Sequence, residues 1–205
     1  SLLTAPGLVV AAPADEAELV HMTATAAAHD DGPFVYRFPR GEGVGTELPA
    51  EGVPLPIGKG RVVRKGSTVA LLSYGTRLND TLKAADKLAA RGFNATVIDA
   101  RFAKPLDRDL IDRTVQSHDA LLTIEEGASG GFGAAVLTHL ADSGALDRGF
   151  KIRTLTMPDR FIDHMSPADQ LAAAGLDPDT IACRALQLLG MDEAEAVLTI
   201  SALSA

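Results

Sequence analysis

The sequence predicts an α/β fold: a largely parallel sheet with helices on both faces. Three observations carry this. Short apolar runs alternate along the chain with longer amphipathic stretches, the pattern of strands joined by crossover helices. Glycine and proline punctuate the junctions between them. A chain of 205 residues with 46% hydrophobic content can also bury a core without disulfides or metal clips, enough for one domain and a substantial part of another.

The first run, Leu8-Val9-Val10-Ala11-Ala12, reads as a buried strand stopped by Pro13. Asp15 can cap the helix that follows, and Glu16 and Glu18 place negative charge in its first turn, where the helix dipole favours it. Leu19, Met22, Thr23 and Ala26 are expected on its inner face. His29-Asp30-Asp31-Gly32-Pro33 ends the helix, and Phe34-Val35-Tyr36-Arg37-Phe38 is a second strand stopped by Pro39. This β-α-β passage is too small to fold alone and reads as the tail of a larger domain. Residues 41–60 carry repeated glycine and proline with little periodicity, the composition of an extended connection.

A regular alternation follows. Arg61-Val62-Val63-Arg64 is a short strand, and Val69-Ala70-Leu71-Leu72-Ser73-Tyr74 a core strand ending at Gly75. A helix over 78–91 shares Leu78, Leu82, Ala85 and Leu88 on one face, with Gly92 at its C-terminal cap. Residues 95–99 form a strand, 107–117 a helix with Leu110, Ile111 and Val115 inward, and 120–125 a strand. Gly130-Gly131-Phe132-Gly133 leads into a helix to about Ser143. Residues 152–156 are the last strand, followed by helical segments over 163–174 and 179–189. No internal repeat or low-complexity tract interrupts the pattern.

The charge balance, 19 − 27 = −8, and a pI near 5.0 argue against a nucleic-acid-binding surface, although a local basic pocket remains compatible. Cys183 alone cannot form an internal disulfide, which points to a reducing compartment, the cytoplasm. No apolar run reaches the ~18 to 20 residues of a membrane span, and no signal peptide is visible. The start at Ser1-Leu2-Leu3, without methionine, suggests a fragment, a processed product or an incomplete chain.

Several residues are candidates for chemistry. Arg37 and Arg40 bracket a strand end in Tyr36-Arg37-Phe38-Pro39-Arg40-Gly41, where open α/β sheets bind ligands. With Pro39 fixing the backbone and Gly41 and Gly43 allowing close approach, an arginine there suits a phosphate or carboxylate; a surface ion pair is the plainer reading. Glu125 and Glu126 precede the glycine-rich turn into a helix. They can form an acid/base pair, or the glycines can serve tight packing, the reading favoured because carboxylates repel phosphate and no Walker or complete dinucleotide pattern is present. His21, His29, His118, His139 and His164 lack zinc-site spacing; His164, in a loop after the last strand, is the best histidine candidate for a site or interface. Cys183 reads as a small core residue. These residues alone do not amount to a complete active site.

Ala12-Pro13-Ala14-Asp15-Glu16-Ala17-Glu18, the run from Tyr36 to Gly45, Leu55-Pro56-Ile57-Gly58-Lys59-Gly60, the run from Asp99 to Asp107, and Thr123-Ile124-Glu125-Glu126-Gly127 together resemble the C-terminal part of the 1-deoxy-D-xylulose-5-phosphate synthase family, in the transketolase superfamily. The runs at 36–45 and 55–60 are the more specific; those at 101–105 and 125–126 are shared across the superfamily. The resemblance implies a thiamine-diphosphate- and Mg²⁺-dependent, homodimeric enzyme condensing pyruvate with D-glyceraldehyde 3-phosphate, with loss of CO2. It places Arg40 at the acceptor's phosphate, with Arg37 in a supporting position. It further implies that residues 1–45 end the pyrimidine-binding domain, 46–60 are a linker, and 61–205 form a transketolase-like C-terminal domain whose main role is architecture and dimer support. The family's Gly-Asp-Gly diphosphate and magnesium motif, its activating glutamate and its cofactor-lining histidines are absent from this sequence. The chain is therefore expected to bind no cofactor alone and to work with a missing N-terminal portion, either of the same chain or as a separate one. Alternatives are a small subunit of a split transketolase, a 2-oxoacid dehydrogenase beta subunit, or a non-catalytic interaction module.

Overall fold

The computed structural model describes residues 2–202; Ser1 and residues 203–205, the end of the tail, lie outside the described residues. In chain order the elements are β1 (Val9–Ala11), α1 (Glu16–Ala27), β2 (Phe34–Tyr36), β3 (Arg61–Arg64), β4 (Ala70–Tyr74), α2 (Leu78–Ala89), β5 (Thr96–Asp99) and β6 (Phe102–Lys104). They continue with α3 (Arg108–Ser117), β7 (Ala120–Ala128), α4 (Phe132–Asp142), β8 (Lys151–Met157), α5 (Pro167–Ala173), α6 (Pro178–Leu188) and α7 (Glu193–Ser201).

A five-stranded sheet in the order β3-β5-β4-β7-β8 forms the body. β5, β4, β7 and β8 run parallel, and β3 closes one edge antiparallel to β5. Central parallel strands are covered on both faces, and β4 and β5 are accordingly buried at every residue. One face, with Leu71, Val97 and Leu122, packs on Leu88 of α2, Ile181 and Leu186 of α6, and Ile200 of α7. The other, with Leu72, Ile98 and Leu121, packs on Ile111 of α3 and on Phe132, Val136 and Leu140 of α4. The predicted fold class is the one observed.

A second, three-stranded sheet has the order β2-β1-β6. β1 and β2 are parallel, as a β-α-β passage requires, and β6, a strand the sequence reading missed, pairs antiparallel with β1. The N-terminal passage is thus tied by backbone hydrogen bonds to the segment that follows β5. Leu8, Val10 and Ala12 also join the apolar cluster on the α3/α4 face of the body.

Three local readings change. α1 turns Glu18, Met22 and Thr25 inward, leaving Thr23 exposed, because Glu18 is drawn into an ion-pair cluster. α5 begins at Pro167 rather than 163: Ser166 caps it, and a proline in the first turn fixes the start. The tail, for which no element was expected, forms α7, capped by Asp192, whose side chain accepts from Glu195 N–H at 2.8 Å.

The glycine- and proline-rich stretch 41–60 forms no helix or strand, and it is fastened along α1. Glu16 accepts from the N–H groups of Val44, Gly45 and Thr46 at 3.1, 2.6 and 2.7 Å. His21 Nδ1 accepts from Val53 N–H at 3.0 Å, and Thr25 Oγ1 from Leu55 N–H at 2.7 Å. Leu55 and Ile57 then pack against Val9, Ala11, Met22 and Phe102.

Candidate functional site

The carboxyl ends of β2, β4 and β7 meet where the N-terminal passage lies against the body, and a cavity of about 550 Å³ opens there. Such a position is where open parallel sheets take ligands. Arg40 lines it, together with Pro13, Asp15, Glu16, Glu42, Arg77, Asp80 and Glu126. The lining is rich in carboxylates, yet most of them already have partners. Asp15 caps α1 through Glu18 N–H at 2.8 Å. Glu16 is held by the three N–H groups named above, and hydrogen bonding, first from its own backbone, keeps its carboxyl below the usual range. Arg77, itself buried, bonds Asp80 at 2.6 Å through Nη1 and faces Glu126 at 3.3 Å through Nε. Arg40 is exposed and takes part in no ion pair among the described residues.

Arg37 does not share that cavity. Three residues earlier on extended backbone, it lines an adjoining recess of about 70 Å³ with Tyr74 and Gly75; Phe38, Pro39, Thr76 and Glu126 belong to both spaces. Its backbone N–H continues the β1–β2 pairing by donating to Ala11 O at 3.2 Å, and its guanidinium lies 5.9 Å from the centre of the Tyr74 ring, a cation–π distance. Tyr74 stacks on Phe132 with centroids 4.9 Å apart, and burial holds its hydroxyl above the usual phenol range.

The two glutamates separate. Glu125 is buried and turns back into the glycine-rich loop, where Oε2 accepts from Phe132 N–H at 3.0 Å and Oε1 from Gly133 N–H at 2.8 Å. It caps α4 with its own carboxylate. A Cβ at Gly131 would stand 2.5 Å from Glu125 Oε2, so the glycine is required for this close approach. Glu126 instead reaches the cavity and Arg77. The packing reading of this motif therefore describes Glu125. It also removes the helix N-terminus as an anion cradle, because a carboxylate fills it.

A diphosphate with a divalent cation needs oxygen donors for the metal and free N–H groups for the anion. Among the described residues no group of three or more His, Cys, Asp or Glu side chains is placed to hold a metal ion.

The histidines play local structural parts. His21 fastens the extended stretch, His118 Nε2 is 2.8 Å from Thr96 Oγ1, and His139 Nε2 lies 2.7 Å from Asp112 Oδ1, joining α4 to α3. His164 sits in the exposed loop between β8 and α5, beside the fully exposed Phe161, and lines neither cavity. Cys183 packs at the edge of the core, and burial pushes its thiol up.

Sequence reasoning missed a buried charge cluster where the passage meets the body. Glu18 is 4% exposed and Asp99 0%. Arg101 grips Glu18 through Nε and Nη2, both at 2.7 Å; Arg61 bonds Glu18 at 3.0 Å and Asp99 at 3.0 Å. Burial raises the Asp99 carboxyl to about 6. The left-handed backbone of Arg101 (φ 57°) gave no signal in the sequence, since arginine has no preference for it.

No helix among the described residues is long and apolar enough to cross a membrane. Two solved structures are similar. A split-gene transketolase, determined as an inactive β4 tetramer, is 26% identical with a TM-score of 0.81, covering 92% of this chain and 60% of that one. An H66 mutant of transketolase from Pichia stipitis, in complex with xylulose 5-phosphate, is 14% identical with a TM-score of 0.62, covering 90% of this chain and 25% of that one, a likeness of fold alone. The chain thus spans 60% and a quarter of the lengths of these relatives. The family model described as "Transketolase, C-terminal domain" matches residues 58–181, more than half of the chain, and the protein belongs to that family.

Proposed function

We propose that the chain is the C-terminal part of a 1-deoxy-D-xylulose-5-phosphate synthase, which condenses pyruvate with D-glyceraldehyde 3-phosphate and releases CO2. In this reading residues 1–45 end a pyrimidine-binding domain, 46–60 are its linker, and 61–205 are the C-terminal domain. Thiamine diphosphate, held with Mg²⁺ by a portion of the enzyme beyond these residues, supplies the carbanion chemistry. This chain's own contribution is recognition. Arg40 binds the acceptor's phosphate through a charge-assisted hydrogen bond, and Arg37 adds positive charge from the adjoining recess.

The observation that supports this best is Arg40 itself: an exposed guanidinium without an ion pair among the described residues, in a cavity whose other charges are largely partnered. The motif around it, from Tyr36 to Gly45, is the stretch most like the synthase. A second reading, the small subunit of a split transketolase, is favoured by the 26% identity to the split-gene enzyme over 92% of this chain.

The test is the reaction. The chain, assembled with the portion that carries the cofactor site, is supplied with carboxyl-labelled pyruvate and D-glyceraldehyde 3-phosphate. Labelled CO2 released in step with a five-carbon 1-deoxy sugar phosphate is the expected result. Two-carbon transfer from a ketose phosphate, without use of pyruvate, would establish the transketolase reading instead.

A further inference from the structure

A second large cleft lies away from Arg40, between β8 and α6, with a volume of about 570 Å³. Lys151 and Arg153 line it from β8 and Arg184 from α6. Lys151 and Arg153 are two residues apart on a strand and so project to one face, the face of Leu155, which packs toward the core that α6 completes. No carboxylate lines the cleft. All three cations are exposed, and none takes part in an ion pair among the described residues, whereas Lys59, Arg61, Arg64, Arg77, Lys87 and Arg101 all do.

In a chain of net charge −8, this cleft gathers three cations and no carboxylate, and like charges held in one cleft favour an anion between them. Both guanidiniums are also oriented. Arg184 Nη1 donates to Gln187 Oε1 at 3.0 Å, and Arg153 Nη1 donates to Ile152 O at 2.8 Å. Each is anchored through one terminal nitrogen, with further N–H groups left for an oxyanion. β8 is an edge of the sheet, bonded to β7 on one side only, which leaves its outward backbone N–H groups without a strand partner. Leu155 and Leu188 supply apolar surface beside these charges.

We propose that the β8/α6 cleft binds a phosphate ester: the cations and the strand edge take the phosphate, and the leucines take the organic part. The site is independent of Arg40 and of the reaction proposed above. The test uses the 205-residue chain carrying Arg40→Gln, so that the first cavity does not contribute. Glycerol 3-phosphate and inorganic phosphate are titrated into it calorimetrically at constant ionic strength.

The expected result is saturation at one ester per chain, with the ester tighter than inorganic phosphate. Adding Arg153→Gln and Arg184→Gln is expected to weaken the ester roughly tenfold or more, the loss of two charged hydrogen bonds. Affinity should also fall as salt rises. Both residues are exposed, so a thermal melt near that of the parent will show that the double variant is folded. Failure of the ester to saturate, an unchanged affinity in the double variant, or tighter binding of inorganic phosphate than of the ester would each overturn the assignment.

Discussion

Two clefts among the described residues have nearly the same volume, about 550 and 570 Å³, and opposite linings. The first gathers five carboxylates, Asp15, Glu16, Glu42, Asp80 and Glu126, with two arginines. The second holds three cations and no carboxylate. Summed charge would send an anion only to the second. The hydrogen bonds say otherwise. In the first cleft the carboxylates are mostly structural parts: a helix cap, a clasp on the extended stretch, and the partners of a buried arginine. In the second the cations carry no such duty. What a site offers a ligand is the charge the fold leaves unpaired, not the charge that lines it.

The sharpest way to break this comparison is to remove a charge from each cleft and follow stability. Arg77→Ala strips a partner from both Asp80 and Glu126 beside a buried position, and unfolding in denaturant should show a loss of about 2 to 4 kcal/mol. A change within experimental error would mean the carboxylates of the first cleft are not fixed by pairing. Arg153→Ala and Arg184→Ala should each cost no more than about 0.5 kcal/mol in the same assay, because no ion pair is lost.

The next effect lies at the inner end of the same junction. Folding raises Asp99 from 3.8 to about 6, so its carboxyl binds a proton more tightly in the folded chain than in the unfolded one. Its contribution to stability is complete below about 4 and is lost as pH rises through about 6. The melting temperature of the native chain, minus that of Asp99→Asn, should therefore decline between pH 4 and pH 7. A difference that is flat or rises with pH would contradict the role of burial there.

Smaller still is the clasp at Glu16. Its carboxyl is held below the ordinary value, so the clasp persists above about 4.5 and opens as pH falls through the lowered value. Glu16→Ala should speed proteolytic cleavage within 41–46 at pH 7 while leaving the melting temperature of the body nearly unchanged. A Cβ at Gly43 would lie 2.5 Å from the Glu16 carboxyl carbon, so Gly43→Ala is expected to loosen the same contact.

The body of the fold was legible because its central strands β4, β5 and β7 are built on apolar runs, and its helices α2 and α3 carry clean inner faces. β6 was not: three residues pairing with a partner some ninety positions away leave no local period to read. On the inner face of α1 Met22 is buried as expected, but Thr23 is exposed and Glu18 and Thr25 were missed, for a related reason. Glu18 points inward to meet Arg101 and Arg61, and a pairing between residues 18 and 101 is invisible to a rule that turns apolar residues toward the core. At the candidate site, the strand-end placement of Arg37 and Arg40 was readable from Pro39 and the flanking glycines. That the two would enter different spaces, and that Arg77 would stand between two carboxylates, depended on chain crossings the sequence does not display.

The most direct test of the account is the pair of Michaelis constants of the complete enzyme containing Arg40→Ala. Losing a charged hydrogen bond to phosphate should raise KM for D-glyceraldehyde 3-phosphate by roughly tenfold to more than a hundredfold, while KM for pyruvate stays within about twofold. An equal rise for both substrates would contradict the assignment of Arg40 to the phosphate.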